Sequence, residues 1–173
     1  EHYVHIFSTR LYQQAVINSV LISTVSSVIG ITVAYFGAKA VHEGGPILKR
    51  FFKTVLSLTS NFAGIPLAFA YIILLGKAGV LVLWGRMAGI GALSDFNLYS
   101  IWGLFIGYVY FQIPLATLLM IPSFDAIRRE WKESVSLLGG SALTFWRKVG
   151  LPALRTAILG TVSVLFANAL AAY

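Results

Sequence analysis

The positions of the charges constrain this chain more than any motif does. No Asp, Glu, Lys or Arg occurs in the 28 residues between Arg10 and Lys39, the 23 between Lys53 and Lys77, or the 29 between Asp95 and Asp125. The last 18 residues, after Arg155, carry none either. A helix needs roughly 20 mainly apolar residues to cross the ~30 Å hydrocarbon core of a bilayer. Three stretches reach that length and the fourth stops while reaching it. Only helices and closed barrels satisfy their backbone in lipid. A barrel would show alternating segments of ~10 residues, and none is visible. The expectation is an all-α integral membrane protein.

Composition agrees. Of 173 residues 58% are hydrophobic and 11% charged, with mean hydropathy +0.82, against ~45–50% and ~25% in ordinary soluble domains. Disorder needs the opposite balance. The chain has no cysteine, which excludes a disulfide framework, a thiolate metal site and a cysteine nucleophile. It begins at Glu1 without a basic segment and cleavage site, so no signal peptide is expected. It stops at Tyr173 inside an apolar run, and reads as a piece of a longer protein lacking terminal helices.

Four spanning helices are expected, at about 12–40, 53–75, 98–121 and 153–173, in one transmembrane domain over 1–173. In the first, Ser19, Ser23, Ser26, Ser27 and Gly30 recur at three- and four-residue spacing, a stripe of small residues that lets helices approach closely. Gly44, Gly45 and Pro46 break the chain in a loop over 41–46. Gly64 and Pro66 interrupt the second helix near its middle. The apolar stretch 78–85 is too short to span and reads as interfacial or re-entrant. The third helix contains Gly103, Gly107 and Pro114, and Pro122–Ser123 ends it.

The net charge of +7 is explained by topology. Ten of the thirteen basic residues fall in 39–53 and 123–155, which the positive-inside rule places in the cytoplasm. Residues 1–13 and 76–97 are then outside, and no nucleic acid is needed as a partner.

Residues 123–152 carry the functional signal. Ser123 is positioned to cap a helix with Asp125 in its first turn. Ile127, Trp131, Val135 and Leu138 share one face, and Gly139–Gly140 breaks the helix. Ser141 can cap a second short helix, on which Ala142, Phe145 and Val149 share a face, stopped by Gly150 and Pro152. From pattern alone this basic, amphipathic helix–glycine–helix either anchors to anionic lipid or docks into a groove of a cytoplasmic partner.

Glu133-Ser134-Val135, three residues, Gly139, nine residues, then Val149-Gly150-Leu151-Pro152 resembles the EAA loop of binding-protein-dependent ABC importers of the type I fold. The family pattern is Glu-Ala-Ala, three residues, Gly, nine residues, Ile-x-Leu-Pro. Glu, Gly and Leu-Pro match by identity, and Ser134, Val135 and Val149 replace residues that are also small or apolar. The resemblance implies a permease subunit in a bacterial inner membrane. It would pair with a second permease, identical or different, and couple to separate ABC ATPase subunits through Glu133, Ser134, Val135, Gly139, Ala142, Phe145, Val149, Leu151 and Pro152. Ala142 and Phe145 would offer the apolar surface for the ATPase groove. An extracytoplasmic binding protein would deliver solute, with 76–97 as its docking surface. No cofactor is expected on this chain; ATP and Mg would sit at the partner ATPase. The runs 61–70 and 110–115 resemble permeases for polyamines, phosphonates and ferric iron.

Polar residues within spanning helices are costly unless paired or wet. Asn61, Gln112 and Asn168 are therefore candidates to line the translocation path, or else form interhelical hydrogen bonds. Tyr108, Tyr110 and Phe111 line a cavity or face core and lipid, and Trp84 and Trp102 fit an interfacial aromatic belt. His2 and His5 lack a third ligand nearby, and His42 lies across the membrane, so no metal site is expected. No phosphate-binding loop is present, and no paired nucleophile and base is visible. The rival readings are an ATP-independent transporter or channel, which the lack of an intramembrane carboxylate disfavours, and a lipid-bound scaffold.

Overall fold

A computed structural model describes residues 10–62 and 64–172. His2, His5, Ala63 and Tyr173 lie outside the described residues.

Helix α1 (Arg10–Glu43) is the longest element at 34 residues, about 51 Å at 1.5 Å per residue. It exceeds the expected 12–40 at both ends, and the expected loop over 41–46 shrinks to Gly44–Gly45. Pro46 then opens α2 (Pro46–Asn61), where its missing N–H falls among donors that have no intrahelical partner. The small-residue stripe of α1 is buried at Ser23, Ser26, Ser27 and Gly30 and continues through Ile31, Ala34, Ala38 and Val41.

The expected second helix, 53–75, is two helices. Helix α2 starts seven residues earlier, and α3 (Ile65–Leu75) follows a break at Gly64, whose φ of 69° is in the left-handed region that favours glycine. Pro66 sits in the first turn of α3 and so costs it little. Two further helices, α4 (Val80–Met87) and α5 (Gly91–Ser94), occupy the stretch expected to lie outside, and α4, expected as an interfacial or re-entrant segment over 78–85, belongs to an apolar stretch of membrane-spanning length. Gly85 of α4 lies against Leu93, where a side chain would collide.

Helix α6 (Ile101–Asp125) is capped by Ser100, whose Oγ accepts from the Gly103 N–H at 3.3 Å. It runs past Pro122 instead of ending there. Ala116, Met120 and Phe124, each fully buried, form a ridge at four-residue spacing that packs with Ala34, Ala38 and Val41 of α1. That packing carries the helix through a residue that local preference would make its end. Helix α2 lies along the later half of α6, where Lys49 meets Asp125. Helix α3 touches the earlier half through Tyr71, whose hydroxyl donates to the Ile106 carbonyl at 3.4 Å.

Beyond α6 come α7 (Arg129–Leu137), α8 (Ala142–Phe145), a π-helical turn (Trp146–Gly150) and α9 (Leu151–Ala172). Gly150 and Pro152 do not stop the helix. The wide turn admits the proline ring directly after it, with the missing N–H in the first turn of α9. Apolar helical stretches long enough to span a membrane run Tyr12–Glu43, Ile65–Met87, Ile101–Asp125 and Ala142–Ala171. The second differs from the expected 53–75 because Lys49, Arg50 and Lys53 make α2 amphipathic, while α3 and α4 are apolar up to Arg86 except for Lys77 in the turn between them. Four such helices make this an all-α, multi-pass membrane protein.

Candidate functional site: a helix–glycine–helix at the end of the bundle

Three helix ends converge beneath the hairpin. Asp125, the last residue of α6, accepts from Lys49 Nζ at 2.5 Å and pairs with His42 Nδ1 at 2.9 Å, with Lys53 Nζ 3.9 Å away. It thus joins α1, α2 and α6. This corrects its expected place in the first turn of the hairpin's first helix. Ser123 lies within α6, and Arg128 occupies the N-cap of α7 with no side-chain capping bond.

An aromatic group ties the hairpin to the bundle. Trp146 of the π-helical turn lies 6.4 Å from the Tyr35 ring, 6.0 Å from Phe124 and 5.4 Å from Phe145, centroid to centroid. Lys39 Nζ stands 4.8 Å over the Trp146 ring, a cation–π contact. Gly150 leaves the space for this ring, since a Cβ there would collide with it. Periodicity alone did not single out Trp146; three rings from three elements meeting on it could not be read from spacing.

The hairpin turn follows the expected chemistry. Gly139 has φ 76°, a conformation costly for residues with a Cβ. Its neighbour Gly140 lies against Val135, where any side chain would collide. Ser141 caps α8, its Oγ accepting from the Thr144 N–H at 3.3 Å. Glu133 is exposed and accepts from Arg129 Nε at 2.9 Å. The Ser134 hydroxyl donates to the Glu130 carbonyl at 2.8 Å. Val135 and Val149 are half-buried and line a groove of about 500 Å³ between α7 and the start of α9. Ala142, Leu151 and Pro152 are exposed.

Phe145 corrects an expectation. It is 2% exposed and offers nothing to a partner; it holds the hairpin to the bundle through Trp146. The exposed apolar side chains are Leu137, Leu138 and Leu143, at 88%, 87% and 77%. They flank the glycine turn from both sides. Leu137 and Leu143 lie off the helical stripe that pattern reading followed, so the turn and not the period places them at the tip.

The three candidate pathway residues do not converge. Asn61 is exposed at the end of α2 and donates to the Ser57 carbonyl at 2.8 Å. Asn168 is exposed on α9. Gln112 is fully buried, its Nε2 donating to the Leu165 carbonyl at 3.4 Å, an interhelical bond from α6 to α9. Tyr110 packs on Tyr71 at 6.0 Å, Tyr108 and Phe111 are half-buried, and Trp84 and Trp102 are exposed.

No family model matches the chain. Among curated proteins it is similar to a thiamine transport system permease protein, ThiP, from several bacteria. The Haemophilus influenzae protein is 26% identical over 149 residues, 84% of this chain and 26% of its own length. The Brucella suis protein is 25% identical over 100 residues, 54% of this chain and 18% of its own length. The Escherichia coli protein is 26% identical over 101 residues, 54% of this chain and 19% of its own length. The chain thus spans about a fifth to a quarter of the relatives it matches. Its four membrane-length apolar helices make the chain an all-α, multi-pass membrane protein, and the proteins it is similar to are permeases of a thiamine transport system.

Proposed function

We propose that this chain is part of the membrane permease of an ABC importer, and that its hairpin over 126–150 couples it to a separate ATPase subunit. Glu133, Ser134, Val135, Gly139, Ala142, Val149, Leu151 and Pro152 form or shape the coupling element. The observation that supports this reading best is the tip. Three leucines stand almost fully exposed on a turn whose backbone requires glycine, in a hairpin that also carries Arg128, Arg129, Lys132, Arg147 and Lys148. An exposed apolar tip on a basic hairpin fits a groove in a protein partner, and the other end of the hairpin is locked to α1 and α6 through Trp146. Movement of the partner would therefore reach the spanning helices as rigid-body displacement.

The relatives' names direct the cargo to thiamine or a close analogue, in place of the polyamine, phosphonate and ferric-iron group that the short motifs resembled. ATP and Mg would bind the ATPase, a second permease would complete the pathway, and an extracytoplasmic binding protein would deliver the solute. The positive-inside orientation puts the hairpin in the cytoplasm of a bacterial inner-membrane protein and residues 88–100 outside.

The test is affinity purification of the full-length protein in mild detergent beside Gly139→Trp. The expected result is a co-eluting ATPase with a phosphate-binding loop, lost in the variant. Its absence from both samples would overturn the reading in favour of an ATP-independent transporter.

A further inference from the structure

Asp95 is the one carboxylate in the chain between Glu43 and Asp125. It follows α5 at the end of the bundle opposite the hairpin, some 36 Å away along α6 at 1.5 Å per residue. It forms no ion pair among the described residues. It lines a pocket of about 570 Å³ together with Phe96, Asn97, Ser100, Trp102 and Ile106, a volume within the range of small-molecule sites.

The other side-chain oxygens of this pocket are already used. Asn97 Oδ1 accepts from the Tyr99 N–H at 3.0 Å. The Ser100 hydroxyl donates to the Asn97 carbonyl at 2.6 Å and accepts from the Gly103 N–H at 3.3 Å. These bonds stiffen the wall and leave the Asp95 carboxylate as the free side-chain acceptor of the pocket. The Trp102 ring is held edge-on to Phe105, at 6.1 Å and 89°, and is 71% exposed. An isolated anion beside a braced indole suits a flat organic cation, which the carboxylate attracts by charge and the ring by its quadrupole.

The geometry points to Asp95 and Trp102 as a reception site for a small aromatic cation at the outer mouth of the permease. This deepens the importer reading and rests on it for the word outer. Thiamine, which carries a cationic ring, is of this class. A knob of basic side chain from the binding protein is the competing occupant, and the test separates the two.

The experiment uses the full-length protein in nanodiscs, read by tryptophan fluorescence, with Trp102→Phe identifying the Trp102 signal. The probes are 1-methylnicotinamide, a flat cation, and nicotinamide, its neutral counterpart. The expected result is saturable quenching by the cation alone, about fivefold weaker in Asp95→Asn and retained in Asp95→Glu. Equal quenching by both probes, or wild-type affinity in Asp95→Asn, would overturn the site. So would loss of binding-protein capture in Asp95→Asn with cation binding unchanged. Thiamine uptake by the reconstituted wild-type system is measured separately. If uptake is absent while the cation still binds, the cargo assignment fails and the site stands.

Discussion

Gln112 lies directly beneath Gly30. A Cβ on Gly30 would stand 3.2 Å from both Cβ and Oε1 of Gln112 and 3.5 Å from Leu165 Cδ1. Helices α1, α6 and α9 meet there so closely that even a methyl group on residue 30 would press on Gln112. Close approach of this kind is how helices associate where lipid supplies no hydrophobic drive. Gly30→Val should cost about 1–3 kcal/mol through overpacking, seen as a lower thermal midpoint in detergent. Gly30→Ala should cost less, because Gln112 can shift by a few tenths of an ångström.

Gln112 itself is built as a packing residue. Its Oε1 is buried without a partner among the described residues, and its Nε2 bond to Leu165 is long. Replacing a poorly satisfied polar group by an apolar one of similar shape is near neutral. Gln112→Met is therefore expected to change stability by under about 1 kcal/mol and to leave uptake intact. A well-folded Gln112→Met that no longer transports would restore it to the translocation path.

The Asp125 node predicts a graded response. Asp125→Ala strands His42, Lys49 and Lys53 around an empty position, whereas Lys49→Gln leaves Lys53 and the His42 ring on the carboxylate. These groups are about a third exposed, so solvent screens them and the cost of Asp125→Ala is about 1 kcal/mol. Hydrogen exchange should accelerate at 42–50, where α1 joins α2, and less so in Lys49→Gln. Equal exchange in both variants would count against the node.

Trp146 should separate assembly from transmission. Trp146→Ala removes a half-buried ring that touches Tyr35, Phe124 and Phe145, costing about 2–3 kcal/mol locally, while Leu137, Leu138 and Leu143 remain exposed at the tip. The expected outcome is an ATPase that still co-purifies and hydrolyses ATP without driving uptake. Trp146→Phe should largely recover uptake. The triple change of Leu137, Leu138 and Leu143 to Ser should do the reverse, leaving thermal stability unchanged and abolishing co-purification.

Gly139 gives the most local prediction. At φ 76° an alanine strains the backbone by about 1–2 kcal/mol, although nothing lies within 4 Å of its Cβ position. Gly139→Asn, which tolerates the left-handed region better, should retain more ATPase co-purification than Gly139→Val.

The distribution of charge by itself determined that this chain is helical and membrane-spanning, since a bilayer admits no other use for 28 or 29 uncharged residues. Spacing determined the glycine turn at 139 and the cap at Ser141, because both are set by backbone chemistry within a few residues. The small-residue stripe over 23–30 was legible for the same reason: a helix face is a local periodicity. What tertiary structure alone decided is which local signals were overridden. Pro122 and Pro152 read as helix ends, yet a buried ridge on α6 and a π-helical turn before α9 carry the chain past both. Asp125 read as a helix start and became the tie between three helix ends, because its partners are 76 and 83 residues away. Phe145 read as a partner surface and is buried, while Leu137 and Leu143 lie off the period and are the tip. At Pro122 and Asp125 the cause is the same: contacts between residues distant in sequence outweighed a preference of one or two kcal/mol that neighbours impose.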